Sequence, residues 1–147
     1  MKKILLAVIP LLIILQSFSY SSSPINIKLL ATFQASFPDA EHVLWSESTD
    51  EYAVSFQDHG IFTRITYTKN GDFTSSLRYY SERNLPYYIL NLMKSKFPDD
   101  KIFGVTEISI PSAINYFVKL EGPKFWKTVR IDGDGFASVV EKFQKMQ

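Results

Sequence analysis

The segment RIDGDGFASVVE, Arg130 to Glu141, places Asp132, Asp134, Gly135 and Glu141 at positions 3, 5, 6 and 12 of a twelve-residue frame. That is the spacing of an EF-hand loop, where carboxylates surround a calcium ion and a glycine makes the sharp turn. The first position, which should carry an acidic ligand, is Arg130. An EF-hand also needs a helix on each side, and the preceding FWKTVRI is a β-rich run with period-two alternation. The stretch therefore reads as a solvated turn between two strands, and no metal site is expected at Asp132 and Asp134.

Other catalytic chemistry is thinly represented. There are two histidines, His42 before the first expected strand and His59 in an expected hairpin turn, and neither has a partner at metal-ligand spacing. No GxSxG elbow, phosphate-binding loop or dinucleotide fingerprint occurs. Paired acids such as Asp50-Glu51 and Asp99-Asp100 fall in expected turns, where solvation accounts for them. Neither a catalytic residue nor a cofactor is assigned, and the chain is read as a non-enzyme.

The N-terminus carries a different kind of information. Lys2 and Lys3 precede the apolar run ILLAVIPLLIIL, and small residues follow in QSFSYSSS. Basic start, short apolar core and small-residue exit make a secretory signal peptide, assigned to residues 1–21, with cleavage after Ser19 or Ser21. The apolar run is shorter than the ~20 residues a membrane span requires, so no stable span is expected after cleavage. The chain has no cysteine, which excludes a lipoprotein anchor, a disulfide framework and thiol chemistry. Without Lys2 and Lys3 the chain has 14 basic and 15 acidic residues, with no run of either sign. Nucleic acid is therefore not an expected partner. The expected location is the periplasm or the exterior.

Positioning elements emerge from an internal repeat. LLATFQASFPDA and ILNLMKSKFPDD align at an offset of sixty residues, so that Leu29, Leu30, Phe33 and Phe37 match Ile89, Leu90, Met93 and Phe97. This spacing is one apolar helix face. Pro24 and Pro86 sit near the helix starts, where a missing N–H costs nothing. Pro38 and Pro98 disfavour helix at the preceding phenylalanines. Four strand-like runs follow each helix, with the offset grown to 64: Tyr52, Val54 and Phe56 match Tyr116, Val118 and Leu120, and Gly71 matches Gly135. Turn residues separate the runs. The expected fold is α+β: tandem α-β-β-β-β repeats, about residues 24–82 and 84–147, forming one antiparallel sheet with both helices on one face. Residues 22–147 are expected to be a single domain.

The spacing F-x-x-x-FPDA-x-x-V-x-W, then Y-x-V-x-F-x-x-x-G, Y-x-x-NG, LP-x-x-I and a second FPDD-x-I, resembles the PepSY-like family. These are exported bacterial proteins, common in Bacteroidetes, with a fold similar to the β-lactamase inhibitor protein. The resemblance spans Leu29 to Phe143. It implies two α-plus-sheet repeats in one continuous sheet, a periplasmic location and no established enzymatic role. It brings no functional residues with it.

Alternation along the strands predicts two unlike faces. Val54, Phe56, Ile65, Tyr67, Leu77, Val118, Leu120, Val129, Ile131 and Val139 are expected under the helices. The other face should be polar, with Ser55, Gln57, Thr66, Thr74 and Ser76. It is also expected to carry Phe62, Tyr80, Phe117, Trp126 and Phe136, interleaved with Arg64, Arg78, Lys119 and Arg130. Aromatic and Arg side chains together are what binding surfaces use. The candidate site is therefore Phe62, Arg64, Arg78, Tyr80, Phe117, Lys119, Trp126 and Arg130. Tyr79, Tyr80, Tyr87 and Tyr88 flank the repeat junction and are assigned to packing of the halves. The leading functional reading is an inhibitor-like module that docks a periplasmic or envelope protein. A small-ligand or envelope-polymer binder comes second, and a hydrolase whose triad assembles through space comes last.

Overall fold

The computed structural model describes residues 25–146, and the expected signal peptide lies outside them. The chain runs α1 (Ile27–Ser36), β1 (Glu41–Glu47), β2 (Glu51–Asp58), β3 (Ile61–Thr68), β4 (Phe73–Tyr80), a single 3₁₀ turn (Glu82–Asn84), α2 (Tyr87–Lys96), β5 (Lys101–Ile110), β6 (Ala113–Glu121), β7 (Phe125–Asp132) and β8 (Ala137–Gln144). All eight strands form one antiparallel sheet in the order β1 to β8, so every strand pairs with its neighbours in the chain. The expected fold class is the observed one.

Equivalent residues build equivalent local structure. Both helices bury the same face, Leu29 and Phe33 in α1, Ile89 and Met93 in α2. Both end at the phenylalanine before a proline, with φ/ψ of −133°/67° at Phe37 and −134°/61° at Phe97. The proline δ-carbon bars the α conformation there. The first helix is capped by Asn26, whose Oδ1 accepts from the Lys28 amide at 2.9 Å. Pro86 occupies the N-cap of α2 rather than its first turn.

The hairpin turns repeat as well. Gly71 and Gly135 have φ of +93° and +84°, a conformation that a side chain resists. Their amides donate to Thr68 O and Asp132 O. Thr68 Oγ1 accepts from the Asp72 amide, and Asp132 Oδ1 accepts from the Phe136 amide at 2.9 Å. The calcium-like Asp132 thus holds a turn between two strands, with no flanking helix.

Burial follows the pairing. Val54 and Phe56 pack with Phe33 and Ile65 under α1. Val105, Val118, Leu120, Val129 and Ile131 pack with Ile89 and Met93 of α2. Each fully buried side chain of this kind contributes about 1.5–3 kcal/mol. The first half adds an aromatic cluster in which Phe33 meets Phe56 edge-on at 5.0 Å and Trp45 at 5.3 Å.

One internal difference stands out. In the second repeat Asp100 Oδ2 accepts from Lys127 Nζ at 2.5 Å, with the two side chains only 4% and 21% exposed. The corresponding positions in the first repeat hold Ala40 and the buried Thr63. Gly122 borders the pair, and a Cβ there would collide with Asp100 Oδ1, whereas its counterpart is Asp58.

Strand β4 departs from the expected register. Thr66 pairs with Ser75, but Tyr67 pairs with Phe73, so Thr74 is the extra residue of a bulge. A one-residue slip moves every side chain to the opposite face. Ser76, Arg78 and Tyr80 therefore lie on the helix side and Leu77 on the other, the reverse of the expectation. Phe136 belongs to the β7–β8 turn and not to a strand face. His42 lies inside β1, with φ of +54° at an irregularity between Glu41 and Leu44. Of the four junction tyrosines only Tyr80 is buried, and Tyr79, Tyr87 and Tyr88 are exposed.

Candidate functional site

The helix-free face is built by side chains of opposite phase to the core. Cross-strand pairing fixes its members. In the first repeat Phe62 faces Tyr79, and Arg64 faces Ser55 on one side and Leu77 on the other. In the second, Trp126 faces Phe143, Lys119 faces Thr128, and Phe117 faces Arg130. Six of the eight expected site residues thus share this face: Phe62, Arg64, Phe117, Lys119, Trp126 and Arg130. Arg78 and Tyr80 do not.

Three aromatic residues of the face were not in the expected set. Tyr79 lies across Gly104, where an added Cβ would come within 2.9 Å of its hydroxyl oxygen. Phe103, the extra residue of a bulge between Ile102 and Gly104, meets Trp126 edge-on at 5.1 Å. Phe143 completes the group. Exposure is 41% for Phe62, 49% for Tyr79, 61% for Phe103 and 56% for Phe143, while Trp126 and Phe117 are half-buried. The 64-residue offset held a signal for two of them. Phe62 and Tyr79 correspond to Trp126 and Phe143, so the same cross-strand aromatic pair occurs once in each repeat.

The cations of this face rest on neutral partners. Arg64 Nη1 donates to Ser55 Oγ at 3.1 Å, Arg130 Nε to Asn115 Oδ1 at 3.1 Å, and Lys119 Nζ to Thr128 Oγ1 at 3.4 Å. Lys145 differs, pairing with Glu121 while lying 5.2 Å from the Trp126 ring centre. At the edge, Thr128 donates its hydroxyl proton to Glu141 at 2.7 Å.

Arg78 and Tyr80 have another role. They surround Glu107, a buried carboxylate at the seam between the halves. Tyr80 donates to Glu107 Oε2 at 2.6 Å, and Arg78 Nη1 to Oε1 at 3.3 Å. Burial first, and then the carboxylate it bonds, push the Tyr80 phenol far above its ordinary value. Tyr116, on the neighbouring strand, is raised by burial and then by its bond with Tyr88. Tyr67 is raised by burial. The cluster ties β4 to β5 with a satisfied acid in place of an apolar contact.

His59 Nδ1 lies 2.7 Å from Asp58 Oδ1 in an exposed turn, and no serine bonds to it among the described residues. No group of three metal-ligating side chains occurs among the described residues. No described helix is long and apolar enough to cross a membrane.

No family model matches the chain, and no curated protein matches it. Solved structures do. A BLIP-like protein from Bacteroides fragilis NCTC 9343 matches with TM-score 0.57 at 16% identity, covering 84% of this chain and 89% of its own. A DUF2874 family protein from Bacteroides ovatus ATCC 8483 matches with TM-score 0.56 at 17% identity, covering 79% and 84%. Another DUF2874 family protein, from Bacteroides uniformis ATCC 8492, matches with TM-score 0.56 at 14% identity, covering 81% and 88%. The fold is thus shared with BLIP-like proteins.

Proposed function

We propose that this chain is an exported, non-enzymatic binding module that docks a protein through the helix-free face of its sheet. The carrying observation is the aromatic pair repeated on that face, Phe62 with Tyr79 and Trp126 with Phe143, of which Phe62, Tyr79 and Phe143 are exposed and Trp126 is half-buried. Exposed aromatics flanked by Arg and Lys suit a recognition surface. From β3 to β8 the group spans five strand spacings, roughly 24 Å. That breadth suits a protein patch of about 800 Å² per partner better than a single polymer chain, which would contact a line. The BLIP-like neighbour supports an inhibitor-like role by fold analogy alone. Export rests on the N-terminal leader, and a periplasmic or envelope protein is the partner this location offers.

The test is capture from the envelope fraction of a Bacteroides species with the chain from residue 22 onward as bait. A partner retained by the wild type and lost by the Phe62→Ala, Trp126→Ala double variant supports the proposal. Equal retention by a folded double variant refutes it.

A further inference from the structure

The two repeats carry the same polar unit beside their aromatic pairs, with its members exchanged. Ser55 and Arg64 are cross-strand partners in the first repeat, and Lys119 and Thr128 are partners at the corresponding places in the second. Position 55 corresponds to 119 and position 64 to 128. The hydroxyl and the cation have therefore swapped strands, while the pair itself persists. In each half the cation donates to the hydroxyl opposite, Arg64 at 3.1 Å and Lys119 at 3.4 Å. Neither forms an ion pair among the described residues. Five other cations have carboxylate partners among the described residues: Lys69 has Glu47, Arg78 has Glu107, Lys94 has Glu82, Lys127 has Asp100 and Lys145 has Glu121.

From this we infer that the helix-free face holds two corresponding subsites, each accepting a carboxylate beside an apolar group, and that the partner is a protein surface presenting acidic side chains at two places. The inference rests on the docking role proposed above and adds the chemistry of the partner. A cation held by a neutral hydroxyl is oriented but not neutralised, so a carboxylate arriving above it gains a charge-assisted bond without displacing an internal acid. The neighbouring rings supply apolar contact and exclude water, which strengthens that bond. Arg130, on Asn115, extends the same charge toward Phe117. The aromatic anchors Phe62 on β3 and Trp126 on β7 are four strands apart, so the two subsites lie about 19 Å from each other. A partner able to reach both gains from the second contact through effective concentration. Glu141, bonded to Thr128, borders only the second subsite, and its counterpart beside the first is Leu77. The first subsite is accordingly the more receptive to acid.

The experiment selects binders from a displayed library of random peptides, using the chain from residue 22 onward, which contains every described element. Alginate, an acidic polysaccharide, is titrated in parallel. Each binder is then measured against an Arg64→Ser, Lys119→Ser variant and against a Phe62→Ala, Trp126→Ala variant, all shown to melt cooperatively. The expected result is peptides rich in Asp and Glu beside aromatic or aliphatic residues, losing about tenfold or more in affinity to the Ser variant and weakening as salt rises. Peptides without acidic enrichment that are lost only by the Ala variant would overturn the acidic partner and leave the docking role standing. Alginate binding that depends on Arg64 and Lys119, with no peptide selected, would replace the protein by a polymer and overturn the inference. Binders indifferent to both variants, or no binder of either kind, would overturn inference and docking role together.

Discussion

Replacing Asp100 by Ala and Lys127 by Thr, singly and together, tests whether the fold needs the buried ion pair or only tolerates it. The first repeat supplies the substitutes, since Ala40 and Thr63 fill the same places there. Removing one member of a buried pair costs about 3–5 kcal/mol, because the survivor stays in a low-dielectric site without a counter-charge. The two single losses should differ. After Asp100→Ala, Lys127 keeps 21% exposure and a flexible stem, and its ammonium, 5.5 Å from the Phe97 ring centre, can swing to water. After Lys127→Thr, the Asp100 carboxylate, 4% exposed, has no such route. We expect about 3 kcal/mol for Asp100→Ala and about 4–5 kcal/mol for Lys127→Thr. The double variant should lie within about 1–2 kcal/mol of wild type, since exchanging a buried pair for packed groups is often near neutral. The coupling between the two sites would then be at least about 5 kcal/mol. Urea unfolding followed by Trp fluorescence, at constant m value, measures all four corners of the cycle. A double variant less stable than either single would show that the pair is indispensable, and that the correspondence with Ala40 and Thr63 does not extend to energetics.

Four further outcomes are expected. Gly122→Ala should destabilise the wild type strongly but the Asp100→Ala background much less, because the added Cβ collides with Asp100 Oδ1; thermal melts of both would show it. Stability should hold up to about pH 10 and fall above it: the raised pKa values of Tyr80 and Tyr116 keep the folded phenols protonated while the unfolded chain ionises. The limiting slope is about 1.4 kcal/mol per pH unit for each tyrosine, and a pH-independent urea midpoint across that range would refute it. Calcium should leave the melting temperature unchanged, whereas Asp132→Ala should lower stability by about 1 kcal/mol through loss of the turn bonds; an upward shift with calcium that vanishes in Asp134→Asn would contradict the first, and an unchanged urea midpoint in Asp132→Ala the second. Phe62→Ala, with its ring 41% exposed, should cost about 1 kcal/mol or less, and a loss near 3–5 kcal/mol would place the ring in a core.

The repeat was legible because its markers are backbone markers. A proline after phenylalanine and a glycine at positive φ constrain the chain wherever they occur, so Phe37, Phe97, Gly71 and Gly135 revealed the architecture before any packing was known. Faces were legible where apolar residues alternate without interruption, as in β2, β3, β6 and β7. They were not legible in β4. There the bulge at Thr74 shifts the phase, and Leu77 drew the inward assignment that its register denies. Arg78 and Tyr80 gave no warning, because what takes them inward is Glu107, an acid on a different strand whose burial no local pattern announces. Comparison with β8 held the missing signal: Leu77 corresponds to Glu141 and Tyr79 to Phe143, a pair that belongs on the open side.

The unbroken strand order from β1 to β8 bears on how the chain acquires its structure. Each strand's partners are its immediate predecessors and successors, so six of the seven pairings close a tight hairpin and pay little chain entropy before they form, while β4–β5 closes the longer connection that carries α2. A chain delivered N-terminus first can add hairpins one after another without waiting for a distant segment. Local pairing of this kind also favours fast folding for a sheet of this size. The β4–β5 ladder is the one strand pairing that joins the two halves, and it follows a complete first repeat, so a growing sheet always presents β4 as a ready edge for the second.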